Sequence, residues 1–474
     1  MDQPLVSVVI PAFNGARWIG EAIRSVLNQT YRNLEVIVVD NNSCDDTLEV
    51  ARAFADPRLL VISHVANRGA DFARRAGVQR ARGEIIAYLD QDDYFHPDKL
   101  KRHAEFLSVH PDVGFTYNAH FVVSCPEGAV QGIYRPPADI ALEDVVLGFP
   151  IAPSAWVMRR EWALREEIWG EDMSLRGREI VICGRLLLSG CKFSPVVGAL
   201  NYRRLHAGRT VRNLAECYEA ERQCQEIIFS DARCPAPVLA QRGRAVMNMA
   251  LSWGCVALHQ GESELACRLL REALGIEPNL VIGDPCELVK VLMHSATTNG
   301  GEDHEKLLEA IFSRLPAELA NISSQLGWAV AHGYLLRAAR CFLWDRAAEG
   351  RALLAEAVSH GVVPGIWDAA TIVHELLSYE MEFGGNSTRA ARAMLTDQLG
   401  RLGHKSGARE IKACYHFNRG LQSFWNGRRR EAMWQLTQAV VTRPHYASNR
   451  GAIATMLRSL TGISCRRAVN ATPA

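Results

Sequence analysis

Gly83-Glu84-Ile85-Ile86-Ala87-Tyr88-Leu89-Asp90-Gln91-Asp92-Asp93 reads as a short, fully buried strand that stops at three acids. Ile85, Ile86 and Leu89 suit a strand core, while Asp90, Asp92 and Asp93 cannot continue into one without partners. Acids just past the end of a buried strand sit where open α/β sheets bind their ligands. Two carboxylates one residue apart also suit a hard divalent cation shared with phosphate oxygens. A simpler account of the same acids is a helix cap, with Asp92 or Asp93 opening a helix near Pro97. The chain on either side has to decide between them.

Upstream, Val6–Ile10 is an apolar run with Ser7 inside it, ended by Pro11. Trp18, Ile19, Ala22, Ile23, Val26 and Leu27 follow at helical spacing. Glu35–Asp40 is a second buried strand, and a helix over roughly Asp45–Phe54 is begun by Ser43 or Asp45. Leu59–Ser63 is a third strand, Asn67-Arg68-Gly69 a turn, and Ala70–Arg80 a helix leading into the acid-tipped strand. Strands alternating with helices in this way predict a doubly wound, mostly parallel sheet. Polar residues recur at the strand ends: Asn14, Asp40, Asn41, Asn67, Arg68, Asp90 and Asp92. All are expected on one rim, a pattern that a helix cap alone does not produce.

The chain of 474 residues is long enough for two or three domains, and 48% apolar with 22% charged residues supplies ordinary large cores. A net charge of +1 gives no global field for nucleic acid, so no nucleic-acid partner is expected. The 13 cysteines are scattered without a C-x-x-C pair, which suggests reduced thiols rather than a disulfide framework or zinc site. The first ten residues read as a strand rather than a signal peptide, and no apolar run of about 18 residues predicts a spanning helix. The expected compartment is the cytoplasm, with peripheral contact at the inner face of the plasma membrane left open. No G-x-x-x-x-G-K-[ST] competes as a phosphate loop.

VSVVIPAFNG, NQTYRNLEVIVVDNNSCDDT and NRGADFARRAGVQRARGEIIAYLDQDD, in that order, resemble the family 2 glycosyltransferases over about residues 4–210. The resemblance implies a GT-A-like nucleotide-sugar-binding α/β fold with an Asp-x-Asp motif. It implies that Pro11 and Phe13 flank the nucleotide base, that Asp40 hydrogen-bonds it, and that Arg68 lies near the base or phosphates. Asp90 would face the ribose and the metal, and Asp92 would ligate Mn²⁺ or Mg²⁺. Asn41, where the family usually has a second Asp, and Arg75, where an Asn is common, depart from the pattern beside the donor. Physically, a departing diphosphate needs its charge stabilised, and a metal held by Asp92 would do this as a Lewis acid and template.

Beyond the acids, Pro97–His110 reads as a helix, Val113–Tyr117 and Phe121–Ser124 as strands, and Gly128–Asp139 as a loop over the acceptor side. His96 and His103 lack metal-ligand spacing and read as satisfied or solvated histidines. Ile151–Arg160 reads as a strand followed by a turn, and it resembles the family's segment lining the acceptor cleft. Asp172–Phe193 resembles the family's acidic pair opening a helix. Registering on Arg185, Gly190, Lys192 and Phe193 gives Glu179 the place of the base that deprotonates the acceptor. Glu171 and Asp172 are the fallback bases, and the plainer reading of Glu179 is a favourable charge at a helix N-terminus. Asn201–Arg212 resembles the family's Arg-x-His ending, so that Arg204 would contact the diphosphate and His206 would complete the metal shell.

From about Leu214 the strand signal vanishes, which sets the expected domains at 1–213 and 214–474. WGCVALHQGESELACRLLREALGIEP (253–278) and RGLQSFWNGRRREAMWQLTQAVVTRP (419–444) share Gly, Ala, Leu and Pro in one register. A weaker copy around Cys341–Ala357 has Asp345 in place of the turn glycine. These units resemble tetratricopeptide helix pairs, with Leu280–Leu326 and Thr371–Leu402 expected to be further, drifted pairs. The combined expectation is a metal-dependent inverting glycosyltransferase moving a sugar from a UDP- or GDP-sugar to a hydroxyl of a glycan or lipid-linked glycan. Surface polysaccharide assembly is the pathway implied by the resemblance, with a protein partner for the helical part. The alternative is a degenerate transferase that binds donor as a scaffold while its repeats recruit that partner. A nucleotidyltransferase also uses sheet-edge acids, but Pro11-Ala12-Phe13-Asn14 is not its Gly-rich basic loop.

Overall fold

The structure, a computed structural model, describes residues 3–124, 130–148, 151–170, 178–205, 213–299 and 303–449. It divides into two compact units, Met1–Leu288 with Ala310–Ala320, and Val289–Glu309 with Asn321–Ala474.

The first unit is built on a nine-stranded sheet. Its opening segment runs β1 (Val6–Ala12), α1 (Ala16–Leu27), β2 (Leu34–Asp40), α2 (Thr47–Arg52), β3 (Leu59–Ser63), α3 (Ala70–Arg80) and β4 (Ile85–Tyr88). It continues with β5 (Tyr94–Phe95), α4 (Lys99–Val109), β6 (Phe115–Ser124), β7 (Val130–Tyr134), α5 (Leu142–Gly148) and β8 (Val157–Arg159). Short helices α6 (Arg160–Ala163) and α7 (Glu166–Trp169), then α8 (Glu179–Leu188) and the long β9 (Phe193–Leu205), complete the mixed part. The strand order is β3-β2-β1-β4-β8-β6-β9-β5, with β7 added on β6. β3, β2, β1 and β4 run parallel to one another, whereas β8 joins β4 and β6 antiparallel.

The unbroken apolar runs of β1 and β2 follow from burial on both faces. Val9, Ile37 and Val39 face one core with Ala73 and Val78 of α3 and Ile180, Val181 and Ile182 of α8. Val8, Ile10, Val36 and Val38 face the other, with Ile19, Ile23 and Val26 of α1 and Leu100 of α4. Polar positions among these runs are paired: the Ser7 hydroxyl donates to Glu35 at 2.6 Å and accepts the Gly83 N–H at 2.9 Å. His103 is buried between Thr116 and Asn118, at 2.8 and 2.9 Å, as a satisfied histidine should be.

Several local expectations change. β1 continues through Pro11, which pairs with Val39, because β4 reaches only as far as Val9 and leaves one side of Pro11 without a ladder partner. The two strands expected at 113–117 and 121–124 are one strand, β6, with register shifts between Tyr117 and His120. The expected loop at 128–139 contains β7, paired antiparallel to β6. Residues 151–160 begin as a single 3₁₀ turn, Pro153–Ala155, and only then become β8.

After β9 the described residues are helical: α9 (Leu214–Phe229), α10 (Ala236–Leu239), α11 (Arg242–Gln260), α12 (Ser263–Ile276), α13 (Glu287–Asn299) and α14 (His304–Ser313). The first unit nevertheless extends past the last strand. Cys224, Ile228, Phe229, Val238 and Ala245 belong to the core on the α3 and α8 side of the sheet. Gln225 also donates to the Val146 carbonyl at 2.8 Å, and Asn248 to that of Leu147 at 2.9 Å. The change from strands to helices thus lies near 214, while the compact unit ends near 288.

The second unit contains α15 (Leu326–Leu343), α16 (Ala347–Ser359), α17 (Ile366–Arg401), α18 (Lys405–Trp425) and α19 (Arg429–Thr442). Residues 371–402 lie almost wholly in the single 36-residue helix α17 rather than in a helix pair. The three copies of the repeated unit turn alike. Gly261, Asp345 and Gly427 have φ of +80°, +58° and +75°. The next N–H bonds five residues back in each: Glu262 to Ala257, Arg346 to Cys341 and Arg428 to Ser423. No helix among the described residues is long and apolar enough to cross a membrane.

Candidate active site

The carboxyl ends of β1, β2 and β4 bring Phe13, Asp40 and the acid turn to one rim of the sheet. Pro11 is buried within β1, and Phe13 beyond it is 40% exposed. Gln91 fastens the loop after β1 to the acid turn, accepting the Phe13 N–H at 2.8 Å and donating to the Phe13 carbonyl at 2.9 Å. The loops after β1 and β2 are knitted together: Asn14 accepts the Cys44 N–H at 2.8 Å, and Thr47 accepts that of Gly15 at 2.8 Å.

Asp40 is 2% exposed at the end of β2. Its Oδ2 has only long contacts, 3.4 Å from the Ser43 N–H and 3.5 Å from the Ser63 hydroxyl, and its buried Oδ1 has no partner among the described residues. A buried carboxylate oxygen without a donor is costly, and a ligand N–H at that position would satisfy it. Asn41 is committed elsewhere: its amide donates to Asn67 Oδ1 and the Gly69 carbonyl, and its oxygen accepts the Arg68 N–H. The Arg68 guanidinium lies 3.9 Å over the Phe72 ring on the exposed side of that turn.

Three acids at the tip of β4 have three different surroundings. Asp93 is fully buried; its oxygens accept the Ser154 hydroxyl at 2.7 Å and the Arg204 N–H at 3.2 Å. Ser154 also accepts the Asp90 N–H at 3.1 Å, so the 3₁₀ turn before β8 clamps both ends of the acid turn. Asp92 is half-buried, and its carbonyl accepts from the Arg204 guanidinium at 2.9 Å. Arg204 is itself buried, ion-paired to Glu21 at 2.5 Å and set over the rings of Trp18 and Tyr94. Asp90 keeps 20% of its side chain exposed and pairs with Arg74 at 2.8 Å.

Arg74, 4% exposed on α3, joins the site's halves. Its guanidinium contacts Asp71 at 2.6 Å, Asp90 at 2.8 Å and Glu179 at 3.6 Å. Glu179 opens α8 with 24% of its side chain exposed. Burial, then the negative charge of Asp71, raises its carboxyl to about 7 against the opposing pull of Arg74. A carboxylate near neutrality is suited to take and release a proton. Neither Arg74 nor Asp71 was expected from the motifs. Their signal was helical spacing: 71, 74 and 78 fall on the buried face of α3, so a charged pair there had to find partners inside.

Of the residues expected at the site, Pro11, Phe13, Asp40, Asp90 and Asp92 lie at the sheet rim, and Glu179 reaches Asp90 through Arg74. Arg204 supports the acid turn from behind. His206 and the alternative bases Glu171 and Asp172 lie outside the described residues. No three His, Cys, Asp or Glu side chains gather to hold a metal among the described residues. The donor chemistry of Asp90 and Asp92 nonetheless suits a hard cation, since Mg²⁺ and Mn²⁺ take one or two carboxylates and fill the remaining positions with water and phosphate oxygens.

A doubly wound sheet with buried and half-buried carboxylates at adjacent strand ends defines an α/β domain built to bind a ligand at its switch point. Residues 7–163 match the family model described as Glycosyl transferase family 2, and this part of the chain is a family 2 glycosyltransferase domain. The chain is 32% identical over 136 residues to the Escherichia coli UDP-Glc:alpha-D-GlcNAc-diphosphoundecaprenol beta-1,3-glucosyltransferase WfaP, covering 29% of this chain and 53% of that protein. It is 30% identical over 146 residues to the putative teichuronic acid biosynthesis glycosyltransferase TuaG of Bacillus subtilis, covering 30% of this chain and 58% of that one. The matches thus span little more than half the length of either relative. Among solved structures, S. aureus TarS 1–349 in complex with UDP-GlcNAc aligns with a TM-score of 0.42 at 17% identity, over 74% of this chain and 88% of that one.

Proposed function

We propose that this protein is a metal-dependent, inverting glycosyltransferase that moves a sugar from a UDP- or GDP-sugar to a hydroxyl of a glycan or lipid-linked glycan. The observation that carries the reading is the meeting of Asp90 and Glu179, 89 positions apart in sequence, on one buried guanidinium beside the rim that Asp40 shares. Asp40 would accept an N–H of the base with its unpartnered oxygen, between Pro11 and Phe13, while Arg68 approaches from the neighbouring turn. Asp92 and Asp90 would hold Mn²⁺ or Mg²⁺, with His206 as a further ligand, and the bound cation would offset the charge of the departing diphosphate. Arg204 would serve the diphosphate by fixing the acid turn.

Glu179 would accept the proton of the acceptor hydroxyl as its oxygen attacks the anomeric carbon from the side opposite the diphosphate. The new glycosidic bond forms as the bond to the diphosphate breaks, so the anomeric configuration inverts. A carboxyl held near 7 is a stronger base than an ordinary glutamate and still largely ionised above neutrality. The relatives' names support surface polysaccharide assembly as the setting. The work would be done at the cytoplasmic face of the membrane, and the helical part, whose repeated unit turns alike in its three copies, would be a tetratricopeptide-like array for a protein partner.

The test is metal-dependent turnover of UDP- and GDP-sugars by the purified chain. Asp92→Asn should lose nearly all activity, and Glu179→Gln should lose about 10²-fold or more in kcat. Full activity in Glu179→Gln would remove that residue from the mechanism. Donor binding without turnover in the unaltered chain would favour the scaffold alternative.

A further inference from the structure

The three carboxylates around Arg74 come from three separate elements: Asp71 from α3, Asp90 from the end of β4 and Glu179 from the start of α8. Its two terminal nitrogens divide the work, one on Asp90 and the other on Asp71 and Glu179, and its buried Nε has no partner among the described residues. Tyr88, whose ring meets Trp156 edge-on at 5.9 Å between centroids, is fully buried and near enough to feel the charges of Arg74 and Asp71. The planar fork of an arginine can span three oxygens in fixed directions, whereas a lysine ammonium is a point charge on a flexible stem.

We propose that Arg74 is the positioning residue that couples the donor side of the site to the base. It shares one guanidinium between Asp90 and Glu179, so a change in what Asp90 binds alters how firmly Glu179 is held. When Asp90 turns part of its charge to a cation shared with the donor phosphates, the guanidinium gives more of its pull to Glu179. The base is thereby set in place once donor is bound. Asp71 is the fixed anchor that keeps Arg74 from following Asp90. This inference rests on the reading of the chain as a nucleotide-sugar-dependent transferase with Glu179 as base.

The experiment is steady-state kinetics on the full chain, using whichever UDP- or GDP-sugar it turns over with Mn²⁺, for the unaltered protein, R74K, E179Q and the R74K/E179Q pair. R74K is expected to lower kcat about tenfold or more while the donor KM moves less than about threefold. R74K added to E179Q should lower kcat little below that of E179Q alone, because the two residues act as one unit. A purely structural arginine would instead give multiplying losses, and that result, or an unchanged kcat in R74K, would overturn the proposal while leaving the transferase reading intact. Should R74K not fold, D71N keeps the guanidinium, loosens its anchor and removes one charge that raises Glu179, so it is compared with the unaltered chain on the plateau above neutral pH. It is expected to lower kcat about threefold to tenfold at constant KM, and an unchanged kcat there overturns the proposal as well. An unaltered chain that turns over no nucleotide sugar would overturn both the proposal and the reading beneath it.

Discussion

Glu179 carries a proton more tightly in the fold than it would in an unfolded chain, and the consequences for rate and stability have opposite signs. Its carboxyl is raised from 4.5 to about 7, first by burial and then by Asp71, against Arg74. As a base it works ionised, so kcat/KM should fall about tenfold per pH unit below neutrality and level off above it. Because the folded value exceeds the unfolded one, protonation stabilises the fold. That stability is fully present below 4.5 and is lost as pH rises through 7. Glu179→Gln should therefore raise the urea midpoint at pH 8 relative to the unaltered chain and leave it nearly unchanged at pH 4. An equal effect at both pH values would contradict the assignment. Asp40, Asp90 and Asp92 were legible in the sequence because each follows a buried run that it could not itself extend. Arg74 was not, because it stands beside a second arginine, Arg75, on the same helix. Only the packing of α3 distinguishes the two.

Turns and close contacts between elements carry the next set of consequences. Ser154 accepts from Asp90 and donates to Asp93, so Ser154→Ala should leave a buried carboxylate short of a donor and cost about 1–3 kcal/mol in chemical denaturation. In the repeated helical unit, Gly427 needs its left-handed φ, and Gly427→Ala should cost about 1 kcal/mol. Asp345 adopts the same conformation with a side chain, so Asp345→Gly should stabilise the second unit by up to about 1 kcal/mol. Gly420 is constrained by contact rather than by φ: an added Cβ would lie 2.6 Å from Leu436 Cγ, and Gly420→Ala should cost about 1–3 kcal/mol. The turn equivalence was readable from the register of Gly261, Asp345 and Gly427. The continuation of β1 through Pro11 was not, since it depends on where the neighbouring β4 stops.

At the scale of the whole molecule, the sequence marks where strands give way to helices but not where compactness breaks. The strand signal ends near 214 because β9 is the last alternating apolar run. The first compact unit continues to Leu288 because apolar residues of α9, α10 and α11 complete a core begun by α3 and α8. A helix's apolar face is plain in sequence, but the surface it will cover is not, so the partner of α9 could be known only from the fold. A truncation after residue 213 should therefore expose Ile180, Val181 and Cys183 on α8, which α9 otherwise helps enclose, and should aggregate or melt well below the full chain. Ending near residue 288 should fare better, and comparable melting of the two pieces would contradict this division.

Calorimetric titration with UDP- and GDP-sugars tests the central claim most directly, because binding needs no acceptor. The account predicts that one donor binds in Mn²⁺ and that EDTA abolishes the binding. It also predicts that Asp92→Asn and Asp40→Asn each weaken binding by about tenfold or more. Binding of equal strength in EDTA and in Asp92→Asn would contradict it.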